Sequence, residues 1–406
     1  MVYPRTLQQK IEANLKGEEI LFISGPRQAG KTTLLHTVEA GLKNQGQTVF
    51  FLDLEDPDYL GLLNQSPKNL FQLFHFDFKK ISYLLIDEIQ YLKNPSNFLK
   101  YFFDTYKGKI KFIVSGSSAF YLDQRFKDSL AGRKKLFTLL TLSLREFLVF
   151  KGEAALAGED FSKTTLPKKE KVERYYSEYL IYGGYPKVVL ASYGEKESVL
   201  KDLAQAYIKK DVFEANIRQD ENFYRLFKIL ASQVGGLTNT NELANTLGIS
   251  KTAVDNYLLV MQRSYHINLV RPFYRNIRKE LTKMPKVYFY DLGLRNFFKS
   301  DFRSIVDRDD LGMLLENGVF RQLADTFGAD EIRFWRTTAK KEVDLVVERS
   351  KMAYEVKIDS KRASLAKYRA FLDSYPEFKL NFVSLKHVLP TLRAGKDRSV
   401  ILPWQI

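Results

Sequence analysis

Gly25-Pro26-Arg27-Gln28-Ala29-Gly30-Lys31-Thr32-Thr33 satisfies G-x-x-x-x-G-K-[ST], the spacing of a phosphate-binding P-loop. The apolar run Ile20-Leu21-Phe22-Ile23 precedes it, as a buried parallel strand should. Leu34, Leu35, Val38 and Leu42 follow at helical spacing. Strand, glycine loop and helix is the order that turns backbone N–H groups and a helix N-terminus toward a polyphosphate. Gly25 and Gly30 admit backbone angles and close approach that a Cβ would block. Lys31 is expected at the β- and γ-phosphates of ATP, and the Thr32 hydroxyl on Mg²⁺.

Working outward, Val49-Phe50-Phe51-Leu52 reads as a second strand and Tyr83-Leu84-Leu85-Ile86 as a third. The third runs into Asp87-Glu88, an apolar strand ending in two carboxylates. Behind a P-loop this is a Walker B element, with Asp87 on Mg²⁺ and Glu88 as base for the attacking water. Ile110 to Val114 is the next strand, leading to Ser115-Gly116-Ser117-Ser118. Ser117 is the candidate sensor of the γ-phosphate and Ser115 the alternate; a turn capping the next helix is the competing reading. The run does not satisfy G-x-S-x-G, so no nucleophile elbow is present. Arg133, after Gly132, is either an arginine finger for a neighbouring subunit's γ-phosphate or a surface arginine after a helix-ending glycine.

These motifs resemble the prokaryotic AAA-type ATPases, specifically the group that carries a C-terminal domain of unknown function. Leu85-Ile86-Asp87-Glu88-Ile89-Gln90, Ser115-Gly116-Ser117-Ser118 and Gly132-Arg133 carry the likeness with the loop. Tyr182-Gly183-Gly184-Tyr185-Pro186 and Tyr288-Phe289-Tyr290-Asp291-Leu292-Gly293-Leu294 extend it to the later part of the chain. The resemblance implies an α/β fold with a parallel sheet in AAA order, the Walker B strand near the P-loop strand in space.

Composition bounds the rest. The chain has 406 residues and a formal charge of +15, which favours two to four domains and a polyanionic partner, nucleic acid (DNA) before membrane. The absence of cysteine excludes disulfides, thiolate zinc sites and cysteine nucleophiles. His36, His75, His266 and His387 are scattered and suggest no metal site. No signal-peptide core or membrane-length apolar run is evident, so a cytoplasmic location is expected.

Four domains are expected: an AAA-type ATPase domain over residues 1–151, a helical lid over 152–236, a winged helix over 237–287 and a nuclease-like α/β domain over 288–406. Lys163 to Lys169 reads as linker, with Pro167 inside it. Glu242 to Ser250 and Lys251 to Met261 have helix-turn-helix spacing. After them Arg271, Arg275, Arg278, Lys279, Lys283 and Lys286 form a cationic wing suited to a phosphate backbone, against a single Glu280. The recognition helix itself offers one exposed cation, Lys251.

Near the C-terminus, Gly312 to Asn317 begins a helix, Glu342 to Val347 is a strand, and Tyr354 to Ile358 is another with Glu355 and Lys357 on one face. The order Glu316, Asp344, Glu355-x-Lys357 resembles the PD-(D/E)-x-K nucleases, the restriction-endonuclease-like fold. That likeness implies a Mg²⁺ between Asp344 and Glu355, Lys357 orienting hydroxide, and Glu316 as a further or outer ligand. Asp344 lacks the preceding proline, and Glu355-x-Lys357 also reads as a solvated ion pair. The leading expectation is Mg²⁺-dependent ATP binding and hydrolysis coupled to nucleic acid. A nucleotide-dependent protein-binding switch and an ATP-gated nuclease are the alternatives, and a homo-oligomer follows if Arg133 acts in trans.

Overall fold

A computed structural model describes residues 3–116, 130, 132–214, 217, 220–274, 280, 283–359, 364–386 and 398–406. Contacts divide the chain into two compact units, residues 1–141 with 263–265, and residues 142–262 with 266–406.

The first unit is built on a five-stranded parallel sheet. Its strands are β1 (Ile20–Ser24), β2 (Thr48–Asp53), β3 (Ser82–Asp87), β4 (Ile110–Gly116) and β5 (Lys134–Thr138), in the order β2-β3-β4-β1-β5. The central strands are continuous apolar runs because both faces are covered. Ile20 and Phe22 point into a cluster with Phe98, Leu99 and Phe102 of the helix Pro95–Tyr106. Leu21 and Ile23 point into the opposite cluster with Leu34, Leu35, Val38 and Leu42 of the helix Lys31–Asn44. Parallel register puts Ser24, Asp87 and Ser115 at one edge of the sheet. As implied, β4 lies between the P-loop strand β1 and the Walker B strand β3.

The second unit carries helices and a seven-stranded mixed sheet, with β6 (Ile267–Pro272), β7 (Lys286–Phe289), β8 (Ile332–Arg336), β9 (Glu342–Val347), β10 (Met352–Asp359), β11 (Lys379–Lys386) and β12 (Arg398–Ile401). The order is β12-β11-β10-β9-β8-β6-β7. The β6–β7 hairpin, expected as a free wing, extends the C-terminal sheet through the β6–β8 pairing. The helices Thr240–Leu247 and Lys251–Arg263 flank Gly248, which is left-handed at φ 67° and closes the first helix.

The linker expected at Lys163–Lys169 is partly structured. A helix starts at Leu166 with Pro167 in its first turn, where a missing N–H costs no helical bond. Just before it, Phe161 is buried beneath the Arg145 guanidinium. The two later motifs pack on each other. Asp291 accepts from the Gly184 N–H at 2.8 Å and caps its own helix through Leu294 N–H. A Cβ on Gly183 would meet Asp291 Oδ1 at 2.2 Å, and one on Gly293 would meet the Tyr182 carbonyl at 2.1 Å. Both motifs are therefore explained by close backbone approach.

Beside them Arg295 and Arg308, both fully buried, converge on Asp310, with Arg308 bidentate at 2.8 and 2.9 Å and Arg295 at 2.5 Å. Asp301, Asp309 and Asp310 are the described residues whose oxygens all approach within 4.8 Å. The arginines and Lys299 already neutralise them, so this is an ion-pair network within the fold.

Candidate functional site

The P-loop leaves β1 and turns into the helix Lys31–Asn44 at Gly30, whose φ is 96°. Gln28 is also left-handed, at φ 54°, so the chain curls into a concave backbone loop. The start of the loop lies against the exit of β5: Leu139 N–H donates to the Ser24 carbonyl at 2.7 Å. A Cβ on Gly25 would stand 2.0 Å from the Leu139 carbonyl oxygen, which requires glycine there. Lys31 is buried, with Nζ donating to the Gly25 and Pro26 carbonyls at 3.2 and 3.0 Å. Its ammonium thus lies over the loop that it is expected to serve.

Thr32 and Asp87, fifty-five positions apart in sequence, meet directly: Thr32 Oγ1 donates to Asp87 Oδ2 at 2.5 Å. A hydroxyl and a carboxylate on adjoining elements form the hard oxygen set that suits Mg²⁺. Ser115 Oγ donates to the other oxygen, Asp87 Oδ1, and accepts from the Glu88 N–H at 3.1 Å. Ser115 therefore ties β4 to the Asp87 carboxylate and to the Glu88 backbone. Glu88 is left-handed at φ 53°, a conformation uncommon without glycine, and its carboxylate accepts from Gln90 Nε2. Gln90 is buried and its carbonyl oxygen would lie 3.1 Å from a Cβ on Gly116.

The remaining expected residues of this site fare differently. Ser117 lies outside the described residues. Arg133 immediately precedes β5, at the end of the sheet opposite the P-loop, where its carbonyl accepts from Ile20 N–H. Its guanidinium pairs with Asp104 at 2.9 Å. Sequence reasoning missed Arg5 and Gln90. Arg5 is buried and donates to the Ala29 carbonyl at 2.7 Å and the Leu140 carbonyl at 2.8 Å.

In the second unit Glu316, Asp344, Glu355 and Lys357 come to one region. Glu316 is on the helix Leu311–Phe327, Asp344 on β9, and Glu355 and Lys357 on β10. Val356 N–H donates to Asp344 Oδ2 at 2.8 Å, and Lys357 donates to Glu355 Oε1. Glu355 Oε2 is buried, facing the Tyr368 hydroxyl without a hydrogen bond of good geometry. Glu316 accepts from the Tyr288 hydroxyl at 2.5 Å and from Lys286 at 3.2 Å. Lys286 also reaches Glu342 at 2.7 Å. Lys286 is therefore not the exposed wing cation expected from the sequence: although β7 is the last strand of the sheet, Lys286 is buried between Glu342 of β9 and Glu316 of the helix Leu311–Phe327.

Burial and the Asp344 charge push Glu316 up to about 7, against Lys286 and Tyr288. The same two causes push Glu355 up to about 7, against Lys357. Burial works to lower Lys357, and the Glu355 and Asp344 carboxylates outweigh it, so Lys357 is raised. The oxygens of Glu316, Asp344 and Glu355 do not all gather within 4.8 Å of one another.

Residues 17–148, which take in most of the first unit, match the model of the AAA domain family. Residues 173–304 and 311–403 match two domains of unknown function, DUF8612 and DUF4143. An uncharacterized protein of Haemophilus influenzae is 27% identical over 289 residues, covering 68% of each chain. An uncharacterized protein of Mycobacterium tuberculosis is 26% identical over 362 residues, covering 88% of this chain and 74% of that one. Among solved structures, the Aeropyrum pernix ORC2 protein with ADPNP and ADP overlaps 71% of this chain and 91% of its own, at 13% identity and a TM-score of 0.39. That overlap is too loose to carry a residue correspondence. No helix among the described residues is long and apolar enough to cross a membrane.

Proposed function

We propose that this protein binds and hydrolyses ATP with Mg²⁺ and couples turnover to engagement of nucleic acid. The observation that carries the first half is the Thr32–Asp87 contact at the mouth of the loop, with Glu88 next in the chain. Loop N–H groups and the start of the helix Lys31–Asn44 would cradle the phosphates. Lys31 would leave the Gly25 and Pro26 carbonyls for the β- and γ-phosphates. Glu88 would accept the proton of the attacking water. Thr32 and Asp87 would hold Mg²⁺, which would neutralise the charge that develops on the phosphates. Ser115 keeps Asp87 oriented and fixes the backbone from which Glu88 projects.

The nucleic-acid half rests on the formal charge of +15 and on exposed cations about the helix-turn-helix and hairpin, Lys251, Arg271 and Lys283 among them. The test is phosphate release from MgATP together with salt-titrated binding to a random DNA duplex. Lys31→Ala should abolish nucleotide binding. DNA affinity should fall steeply with salt, as counterion release demands. No DNA binding even at low salt would favour the protein-binding switch, and wild-type protein indifferent to millimolar ATP would end the reading.

The gathering of Glu316, Asp344, Glu355 and Lys357, with one Glu355 oxygen unsatisfied, favours a second reading: a divalent-metal nuclease site of restriction-endonuclease type. Asp344 and Glu355 would hold the metal, and Lys357 would orient the attacking water. Metal-dependent nicking that disappears in Lys357→Ala is the expected result, and nicking that survives it refutes the assignment.

A further inference from the structure

The sequence motif of a P-loop ends at its own eight residues, yet the loop is anchored by a cation from outside it. Arg5 immediately precedes the helix Thr6–Glu12, which is fixed to the core through Ile11 in the cluster that holds Leu34 and Leu35. From that position Nη1 donates to the Ala29 carbonyl at 2.7 Å and Nη2 to the Leu140 carbonyl at 2.8 Å. One planar guanidinium thus joins the far end of the loop to the exit of β5, while Ser24 and Gly25 lie against Leu139 at the near end. Both ends of the loop are referred to the same two residues of chain.

The consequence follows from peptide geometry. In a trans peptide the C=O and the next residue's N–H point in opposite directions. Holding the Ala29 carbonyl toward Arg5 therefore turns the Gly30 N–H away from Arg5. Gly30, at φ 96°, then enters the helix whose first N–H groups are unpaired within it. Without the anchor, the Ala29–Gly30 peptide could rotate, and a buried carbonyl would lose a charge-assisted bond.

We propose that Arg5 is a positioning residue of the phosphate cradle, fixing the Ala29–Gly30 peptide so that the Gly30 N–H faces the bound diphosphate. The proposal rests on the ATP reading above, and predicts an effect on phosphates alone. Arg5→Met should bind ADP about tenfold more weakly, the scale of one charge-assisted hydrogen bond. Inorganic pyrophosphate should lose affinity by the same factor, because the base plays no part.

The experiment is ADP and pyrophosphate titration of the full chain, wild type against R5M, with the melting temperature of each nucleotide-free protein measured alongside. Parallel loss of both affinities at an unchanged melting temperature is expected. R5K, which keeps the charge and can reach one carbonyl, should recover part of the loss. Wild-type affinity in R5M overturns the proposal and leaves the ATP reading standing. Loss for ADP but not pyrophosphate also overturns it, since Arg5 would then serve the base. If R5M does not fold, R5Q, too short to span both carbonyls, takes its place with the same outcomes. Wild-type protein that binds neither compound ends the ATP reading and this one together.

Discussion

Replacing Glu88 by glutamine separates binding from chemistry at the AAA domain. The contacts assigned to nucleotide and metal — the loop, Lys31, and the Thr32–Asp87 pair — do not involve the Glu88 side chain. Its carboxylate is held by Gln90, and its backbone N–H by Ser115, which the substitution leaves in place. Glutamine has the same shape but cannot take a proton from water. Loss of a positioned general base costs about 10²–10⁴ in rate, or roughly 2.7–5.4 kcal/mol in the barrier. Phosphate release at saturating MgATP should fall by that factor, while ADP affinity stays within about threefold, since no hydrogen bond to phosphate is removed. Gln90→Ala supplies the internal control. It should slow turnover when Glu88 is present and change nothing when Glu88 is already glutamine, because an anchor has no effect once its base is gone. Turnover in E88Q close to wild type, or additive losses in the double variant, would refute the assignment of Glu88 as base.

Asp310→Asn should destabilise the second unit by about 3–5 kcal/mol, the cost of stranding buried charge, here Arg295 and Arg308; urea unfolding measures it. Burial opposes ionisation of Asp310, and Arg308 and Arg295 overcome it, holding the carboxyl well below the usual range. The stabilisation from that pairing is therefore present above the unfolded-state value of about 4 and is lost as pH falls through the lower folded-state value. Glu316 and Glu355 act with the opposite sign. With both raised to about 7, their contribution is complete below the unfolded-state value and is lost as pH rises through about 7. Each accounts for at most about 3 kcal/mol, so wild-type protein should be less stable at about pH 8 than at about pH 5.5, and Glu355→Gln should flatten that slope. An unchanged slope in E355Q would place the burial of this carboxylate in doubt.

The first unit was legible in the sequence because its signals are local. A parallel strand covered on both faces must be apolar throughout, so Ile20–Ile23 and Tyr83–Ile86 announce themselves, and the chemistry of phosphate fixes the residues that follow them. Arg5 was illegible for the converse reason. Arg5 acts on a carbonyl twenty-four positions away, through a backbone atom that every residue type supplies, so no side-chain pattern marks it. The second unit shows the same limit. Helical and strand periodicity located the helices Thr240–Leu247 and Lys251–Arg263 and the strand carrying Glu355 and Lys357, and alternation put those two side chains on one face. Periodicity does not say which strands are neighbours. The cations from Arg271 to Lys286 looked like a wing while the hairpin was read alone; in the folded sheet, where β6 pairs with β8, Lys286 faces Glu316 and Glu342 and becomes a buried counter-charge. The same pairing that removes a cation from the surface supplies one to the acidic cluster, so Lys286 links the hairpin to the charge of the Glu316–Asp344–Glu355 region. Replacing it by methionine would leave Glu316 and Glu342 without that ammonium. The burial that already favours protonation of Glu316 would then act unopposed by it, and its titration should move upward.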